Sequence, residues 1–147
     1  MFSNILVVFE NQKILPEALV YTRELAMRID ANVTLLMIVP MLFAGRTVIS
    51  PKRNTIRNIE IKAGELLSDS LQSFIQDGIE IHSALKLGDP AQELMKFLAD
   101  RPPFQSIIWG SGHDLPDKGK GTQRHWLFKV VGSLECPLLT VSKRTQP

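Results

Sequence analysis

The part of the chain with the strongest chemical character is a loop rich in glycine and lysine. It begins at Gly110 and Gly112, directly after the apolar run 106–109, and it ends at Gly121 and Thr122. Glycines let backbone N–H groups approach an anion closely, and the N-terminus of a helix favours negative charge. The lysines inside the loop add positive charge for phosphate oxygens. The loop is therefore a candidate site for a phosphate group or a nucleotide.

Three side chains beside or within this loop could take part in binding. Glu10 ends the apolar run 5–9 and could accept hydrogen bonds from a ligand, or it could face solvent at the rim of a sheet. His113 and His125 could donate to a phosphate oxygen, or they could be ordinary loop and helix residues. Glycine, lysine and aspartate are also the usual residues of a solvated loop, so the pattern leaves both a binding site and a plain loop open.

The other reactive residues do not form a pattern typical of catalysis or of metal binding. The three histidines are far apart in the sequence and lack the close spacing of a metal site. The single cysteine, Cys136, is expected to be a buried structural thiol, because no histidine or aspartate accompanies it in a recognisable motif. The sequence has no nucleophile elbow, Walker motif or pair of catalytic carboxylates. It therefore predicts no catalytic residue and no metal ligand, and at most weak hydrolysis of ATP.

Length and charge limit the remaining classes of function. The 147 residues suit one domain, and the net charge of +2 gives no reason to expect binding to nucleic acid or to a membrane. The start of the chain lacks the basic and apolar regions of a signal peptide, and no apolar segment approaches about 20 residues. A single cysteine fits a reducing compartment. We therefore expect a cytoplasmic protein with one domain over residues 1–147.

The segments around the loop alternate between strand and helix. Continuous apolar runs, typical of strands that are buried on both faces, cover 5–9, 33–39, 106–109 and 137–142. Residues 79–87 alternate between apolar and polar types and predict an edge strand on which His82 is exposed. Apolar stripes at helical spacing predict helices over 15–29, 56–75, 90–98 and 126–134. This alternation predicts a parallel sheet with helices on both faces, and residues 41–54 are expected to form a surface loop.

Two helix boundaries have specific signals in the sequence. Asp89 is expected to be the N-cap of the third helix, with Pro90 as its first residue and Gln92 as the partner in a capping box. Gly78 is expected to end the second helix, because glycine adopts the left-handed conformation that often follows a helix.

Four motifs, in this order along the chain, resemble those of the universal stress protein family. The strand that ends at Glu10 is similar to the family's opening strand, which ends in Val-Asp, and the turn 88–91 is similar to the family's turn before the third helix. Residues 107–111 look like the family's strand that ends in Met-Gly-Ser or Met-Gly-Thr. Residues 136–141 are similar to the family's closing Cys-Pro-Val-Leu-Val-Val. The resemblance covers residues 5–142.

The resemblance implies a single three-layer α/β domain of the type found in adenine nucleotide alpha hydrolases. Its sheet has five parallel strands in the order 3-2-1-4-5, with helices on both faces, and two copies form a homodimer through the last strand. The candidate site for a nucleotide or phosphate in this sequence consists of Glu10, Ile38, Trp109, Gly110, Gly112, His113, Gly121 and Thr122.

The glycine loop departs from the pattern of the family members that bind nucleotides. That pattern is Gly-x-x-Gly, a spacer of nine residues, and Gly-Ser or Gly-Thr. Gly110 matches the first glycine, but His113 stands at the second, and the Gly-Ser position falls near residues 124–125. A shifted pattern ends at Gly121 and Thr122, with Thr122 as the cap of the last helix.

Two functions are compatible with these observations. The first is a dimeric binding or signalling module of the stress response that takes an adenine nucleotide, ATP or AMP, or a phosphate at a degenerate glycine loop. The alternative is a dimeric interaction protein of the same family that binds no nucleotide, for which the glycine replaced by His113 is the supporting feature.

Overall fold

The computed structural model describes residues 3–41, 53–115 and 125–142. In chain order, the elements are β1 (Ser3–Glu10), α1 (Pro16–Ile29), β2 (Ala31–Pro40), α2 (Arg53–Gln76), β3 (Ile81–Gly88), α3 (Pro90–Ala99), β4 (Ser106–Trp109), α4 (Trp126–Val130), the 3-10 turn Val131–Ser133 and β5 (Leu138–Leu139).

The sheet has β1 at its centre, and its strand order β3-β2-β1-β4-β5 confirms the order expected from the resemblance. All four pairings are parallel. The pairings of β1 with β2 and of β2 with β3 each join eight residue pairs, whereas β1 and β4 share four and β4 and β5 share two. The sheet is therefore extensively paired on one side of β1 and sparsely paired on the other.

Two apolar cores lie on opposite faces of this sheet, because successive side chains of a strand point to opposite faces. Val7 and Phe9 belong to the core that α1 and α2 cover. Leu6 and Val8 belong to the core that α3 and α4 cover. Every residue of the run 5–9 is fully buried. The continuous apolar run thus reflects burial on both faces, as the sequence predicts.

The predicted helix boundaries at Asp89 and Gly78 are confirmed. The Asp89 carboxylate accepts a hydrogen bond from the backbone N–H of Gln92 at 3.0 Å and caps α3. Gly78 follows α2 with a φ of +74°, which lies in the left-handed region. Its N–H donates to the carbonyl of Ile75 and closes the helix. His82 is exposed on the edge strand β3, also as predicted.

Three other boundaries differ from the predictions. α2 begins at Arg53, within the stretch 41–54 that was expected to be a loop, and residues 42–52 lie outside the described part of the chain. The predicted helix 126–134 is a five-residue α-helix whose continuation tightens into a 3-10 turn. β5 has two residues, not the six of 137–142, because its pairing with β4 extends only from Ile107 to Ile108.

α2 is the longest of the described helices, with 24 residues. Neither α2 nor any other described helix is long and apolar enough to cross a membrane.

Candidate functional site

Glu10 lies at the carboxyl end of the central strand, and two donors from the start of α4 hold its side chain. Glu10 Oε1 is 2.6 Å from Nε2 of His125, and Oε2 accepts a hydrogen bond from the indole N–H of Trp126 at 3.1 Å. The side chains of Glu10 and His125 are 25% and 15% exposed. Both carboxylate oxygens therefore have partners within the protein. The sequence leaves open a carboxylate that accepts from a ligand or one that faces solvent, and neither alternative includes these partners.

The hydrogen bonds of His125 determine which ring nitrogen carries its proton. Nδ1 accepts from the backbone N–H of Leu127 at 3.1 Å, so its lone pair is free of a proton, and Nε2 bears the proton that is donated to Glu10. The first of these bonds makes His125 the N-cap of α4. His125 thus connects the carboxyl end of β1 to the start of α4 through both of its nitrogens.

Three rings, which we call the aromatic cluster, pack together beside this carboxylate. Trp109 meets His125 edge-on with 5.6 Å between ring centroids, and it meets Trp126 at 6.2 Å. The rings of His125 and Trp126 are 5.2 Å apart. Trp109, the last residue of β4, is only 2% exposed. Edge-to-face contacts between rings are favourable, so the cluster supports the position of both donors to Glu10.

The backbone beside Glu10 is fixed by residues that follow β4. Ser111 Oγ accepts a hydrogen bond from the backbone N–H of Glu10 and donates one to the carbonyl of Lys13, each at 2.7 Å. The carbonyl of Gly110 accepts from the N–H of Leu15 at 2.8 Å. These bonds join the ends of β1 and β4 to the start of α1. The floor of the candidate site is therefore held by hydrogen bonds within the protein.

Packing against β1 leaves no room for a side chain at Gly110. A Cβ atom at this position would lie 2.5 Å from Cε1 of Phe9 and 2.8 Å from Cγ1 of Val7. At Gly112 the nearest atom to an added Cβ is 3.5 Å away. The agreement of Gly110 with a nucleotide-binding pattern therefore has a structural explanation that requires no ligand, and Gly112 is not constrained in this way.

Ile38 and His113, two further predicted site residues, are engaged within the protein. Ile38 is fully buried in β2, where it pairs with Glu10, and its carbonyl accepts from the N–H of Asn11 at 2.7 Å. His113 Nε2 lies 3.2 Å from Oε2 of Glu17, in the first turn of α1. The structure thus places Ile38 directly beside Glu10 and joins His113 to α1.

Gly121 and Thr122 lie outside the described residues. The predicted role of Thr122 as the cap of the last helix is wrong, because α4 begins at Trp126 and its N-cap is His125. Thr122 is four positions away from the first helical residue, too far to be its N-cap.

The sequence pattern does not indicate the contacts of His125 and Trp126 with Glu10. The apolar stripe of the last helix assigns Trp126 to the core, and a stripe does not show where an indole N–H points. The available signal was the pair of adjacent side chains, His125 and Trp126, that both carry N–H donors at a helix start.

The hydrogen bonds of His125 and Ser111 leave neither side chain free to act as a base or a nucleophile. While α4 is capped, Nδ1 of His125 is occupied by the helix and Nε2 donates to Glu10, so the ring has no nitrogen that can take a proton from a substrate. The hydroxyl proton of Ser111 is likewise donated to Lys13. Within the described ranges, no three histidine, cysteine or acidic side chains are grouped so that they could hold a metal ion.

A separate cleft of about 240 Å³ lies at the opposite end of the sheet, where β4 begins. Its walls come from the end of α3, from residues 101–104 and from Cys136. Cys136 is half-buried, not buried as predicted, because it lines this open cleft. Partial burial raises the pKa of the Cys136 thiol, and the neighbouring Glu135 carboxylate raises it further. The thiol is thus in its neutral, unreactive form at pH 7.

No protein-family model and no curated protein sequence matches the chain. Solved structures do match. A protein of the universal stress protein family from Burkholderia pseudomallei is 18% identical, with 97% of each chain covered and a TM-score of 0.71.

Two further structures of this kind contain nucleotides. A universal stress protein family protein from Arabidopsis thaliana with AMP bound is 19% identical, with 97% of this chain and 93% of that chain covered and a TM-score of 0.63. The universal stress protein from Archaeoglobus fulgidus in complex with dAMP is 18% identical, with 95% and 96% covered and a TM-score of 0.57. At such identities the similarity establishes architecture and not activity. The chain therefore has the fold of the universal stress proteins.

Proposed function

We propose that the protein is a dimeric binding or signalling module of the stress response that takes an adenine nucleotide or a phosphate group at the carboxyl ends of β1 and β4. The observation that carries this proposal is the position of Glu10. Its carboxylate lies where the strand order reverses, beside the aromatic cluster and the start of α4. In open α/β sheets, ligands bind in the crevice outside the carboxyl ends of the strands at such a reversal.

The two relatives that contain AMP and dAMP support an adenine nucleotide as the ligand. In this chain, the residues proposed to surround it are Glu10, Ile38, Trp109, Gly110, Gly112, His113, Gly121 and Thr122. The action proposed is binding and a change in the loops, not turnover, because the sequence has no recognisable catalytic motif and because His125 and Ser111 are engaged in hydrogen bonds within the protein.

A thermal-shift titration with ATP, AMP and inorganic phosphate tests the proposal. A ligand with a Kd of about 1 µM stabilises the native state by about 4 kcal/mol at 1 mM, so the melting temperature should rise by several degrees. Glu10→Gln should reduce the rise, whereas Glu80→Gln, an exposed carboxylate remote from the site, should leave it unchanged. A melting temperature that none of the three ligands raises would contradict the proposal.

A dimeric interaction protein that binds no nucleotide is the second candidate. The observation in its favour is that His125 and Trp126 already occupy both oxygens of Glu10. In that case the aromatic cluster is a permanent part of the core, and the surface above it serves a protein partner. The thermal-shift titration separates the two candidates, because this one predicts no response to any of the three ligands.

The proposal includes a homodimer formed through β5 and a location in the cytoplasm. β5 is an edge strand, and such a strand presents unpaired backbone groups to a second copy. Thr140→Lys would place a charge directly after this strand, and Thr55→Lys, on an exposed position of α2, is the matched control. In sedimentation equilibrium we expect a dimer for the natural sequence and the control, and a weakened dimer for Thr140→Lys. A monomeric natural protein would contradict this part of the proposal.

A further inference from the structure

We infer that His125 and Trp126 form a gate at the proposed ligand site: they occupy the carboxylate of Glu10 in the free protein, and a nucleotide gains that carboxylate only by displacing them. This inference rests on the proposed function. Its basis is that each oxygen of Glu10 has a donor among the described residues, Nε2 of His125 at 2.6 Å for one and Nε1 of Trp126 at 3.1 Å for the other. The two donors are adjacent residues at one helix start.

The gate includes the first turn of α4 as well as two side chains. His125 is the N-cap, since its Nδ1 accepts from the N–H of Leu127, and Trp126 is the first residue of the helix. The rings of His125 and Trp126 also pack on each other and on Trp109. Because these contacts connect the two donors, withdrawal of either from Glu10 disturbs the other and the start of α4.

The chemistry of Glu10 determines which ligands can open this gate. A partly buried carboxylate that loses two N–H donors is destabilised unless new donors replace them. A nucleoside supplies amino and hydroxyl donors. Inorganic phosphate has mostly acceptor oxygens and a negative charge, so it repels the carboxylate. The gate therefore selects an adenine nucleoside phosphate over free phosphate.

A gate that is mostly closed lowers the apparent affinity, because the ligand binds only the open fraction of the protein. Removing one donor from the closed state should raise that fraction. A hydrogen bond to a charged group is typically equivalent to a change of about tenfold to a hundredfold in an equilibrium constant. Each single gate variant should therefore bind AMP more tightly than the natural sequence, by about tenfold and at most about a hundredfold.

Two substitutions remove one donor each with little other change. Trp126→Phe keeps an aromatic ring and removes the indole N–H. His125→Asn keeps a good N-cap residue for α4, but its side chain is too short to reach Glu10 as the imidazole does. His82→Asn, on the exposed face of an edge strand, is the matched control for the histidine change. All three are compared with the natural protein by calorimetric titration with AMP and, separately, with inorganic phosphate.

We expect Trp126→Phe and His125→Asn to bind AMP more tightly than the natural protein. The affinity of His82→Asn for AMP should be unchanged, and no variant should show a comparable gain for phosphate. Natural protein and gate variants that bind AMP equally would overturn the gate and leave the proposed function standing. Equal gains for phosphate and AMP would also overturn it, because donors would then not be needed. If no variant and no natural protein binds AMP, the proposed function fails and the gate fails with it.

The indole N–H resonance of Trp126 in a 1H–15N spectrum gives a second readout that does not depend on the variants. Displacement from Glu10 should move this resonance when AMP saturates the natural protein. A resonance that stays unchanged at saturation would show that AMP binds without opening the gate, and the inference would be overturned.

Discussion

Gly110 lies against β1 with no room for a methyl group. An added Cβ would be 2.5 Å from Cε1 of Phe9, and Phe9 is itself fully buried in the core, so it cannot move aside freely. Gly110→Ala is therefore expected to lower the free energy of unfolding by about 1–3 kcal/mol, the usual cost of forcing extra volume into a packed interior. Urea denaturation followed by far-ultraviolet circular dichroism measures this change.

Gly112→Ala is the matched control, because it adds the same methyl group two positions along the loop with no atom closer than 3.5 Å. The unfolding free energy of this variant should stay close to that of the natural protein. Equal losses at the two positions would show that the loop, and not contact with Phe9, requires glycine.

Cys136 should react slowly with iodoacetamide at pH 7, because the raised pKa of its thiol leaves little thiolate. The rate should climb as the pH rises beyond the ordinary value of 9.0. Glu135→Gln removes one cause of the shift, lowers the pKa and should speed alkylation at pH 8. Glu80→Gln serves as the control, since Glu80 does not line the cleft that holds Cys136. Identical rates for the two variants would exclude Glu135 as a cause.

At the residue scale, the sequence predicts where a site residue lies within its strand or loop, but it does not predict which side chains that residue contacts. The end of the first apolar run placed Glu10 at the rim of a sheet, as observed. Its partner His125 is 115 residues further along the chain, and no periodicity connects residues at that separation. The packing reason for Gly110 was equally hidden, because it depends on side chains of a neighbouring strand.

The start of α3 shows an element whose boundary is encoded locally. Asp89 accepts from the N–H of Gln92, and Pro90 occupies the first turn. Asp89→Ala should lower the free energy of unfolding by about 1 kcal/mol through loss of this cap. Asp89→Asn keeps an acceptor oxygen in the same place and should cost much less. Chemical denaturation of both variants gives the comparison, and equal losses would mean that the charge of Asp89, not its cap bond, stabilises the helix.

Elements with their own sequence signals were predicted with nearly correct bounds. The strand predicted over 5–9 is observed as Ser3–Glu10, and the helix predicted over 15–29 is observed as Pro16–Ile29. β5 and α4 were predicted too long. β5 extends only as far as β4 pairs with it, and α4 ends early because the chain tightens into a 3-10 turn from Val131. Such limits cannot be found in the local pattern.

At the scale of the molecule, alternation of strands and helices was enough to predict a parallel sheet with helices on both faces. The strand order came from the resemblance, because alternation alone permits several orders. The solved structures that match the chain have the same architecture, although they are only 18% or 19% identical to it in sequence. Architecture was therefore far more predictable than the site, which depends on a few side chains.

Native-state hydrogen exchange should show two levels of protection in the sheet. Amides of Val7 and Val8 lie in a fully buried strand and should exchange only through global unfolding. The amide of Leu139 lies in a half-exposed edge strand with two paired residues and should exchange orders of magnitude faster. Equal protection at both strands would show that the sheet opens as one cooperative unit.

The unequal pairing of the strands affects where a protease should first cleave the protein. Eight residue pairs on each side of β2 hold one half of the molecule, whereas four and then two pairs hold β4 and β5. Within the sheet, transient local opening is therefore favoured in the half that carries β5 and the start of α4. Among the strands of the sheet, cleavage should begin there. A nucleotide that orders this half should slow the cleavage and leave the pairing of β1, β2 and β3 unchanged.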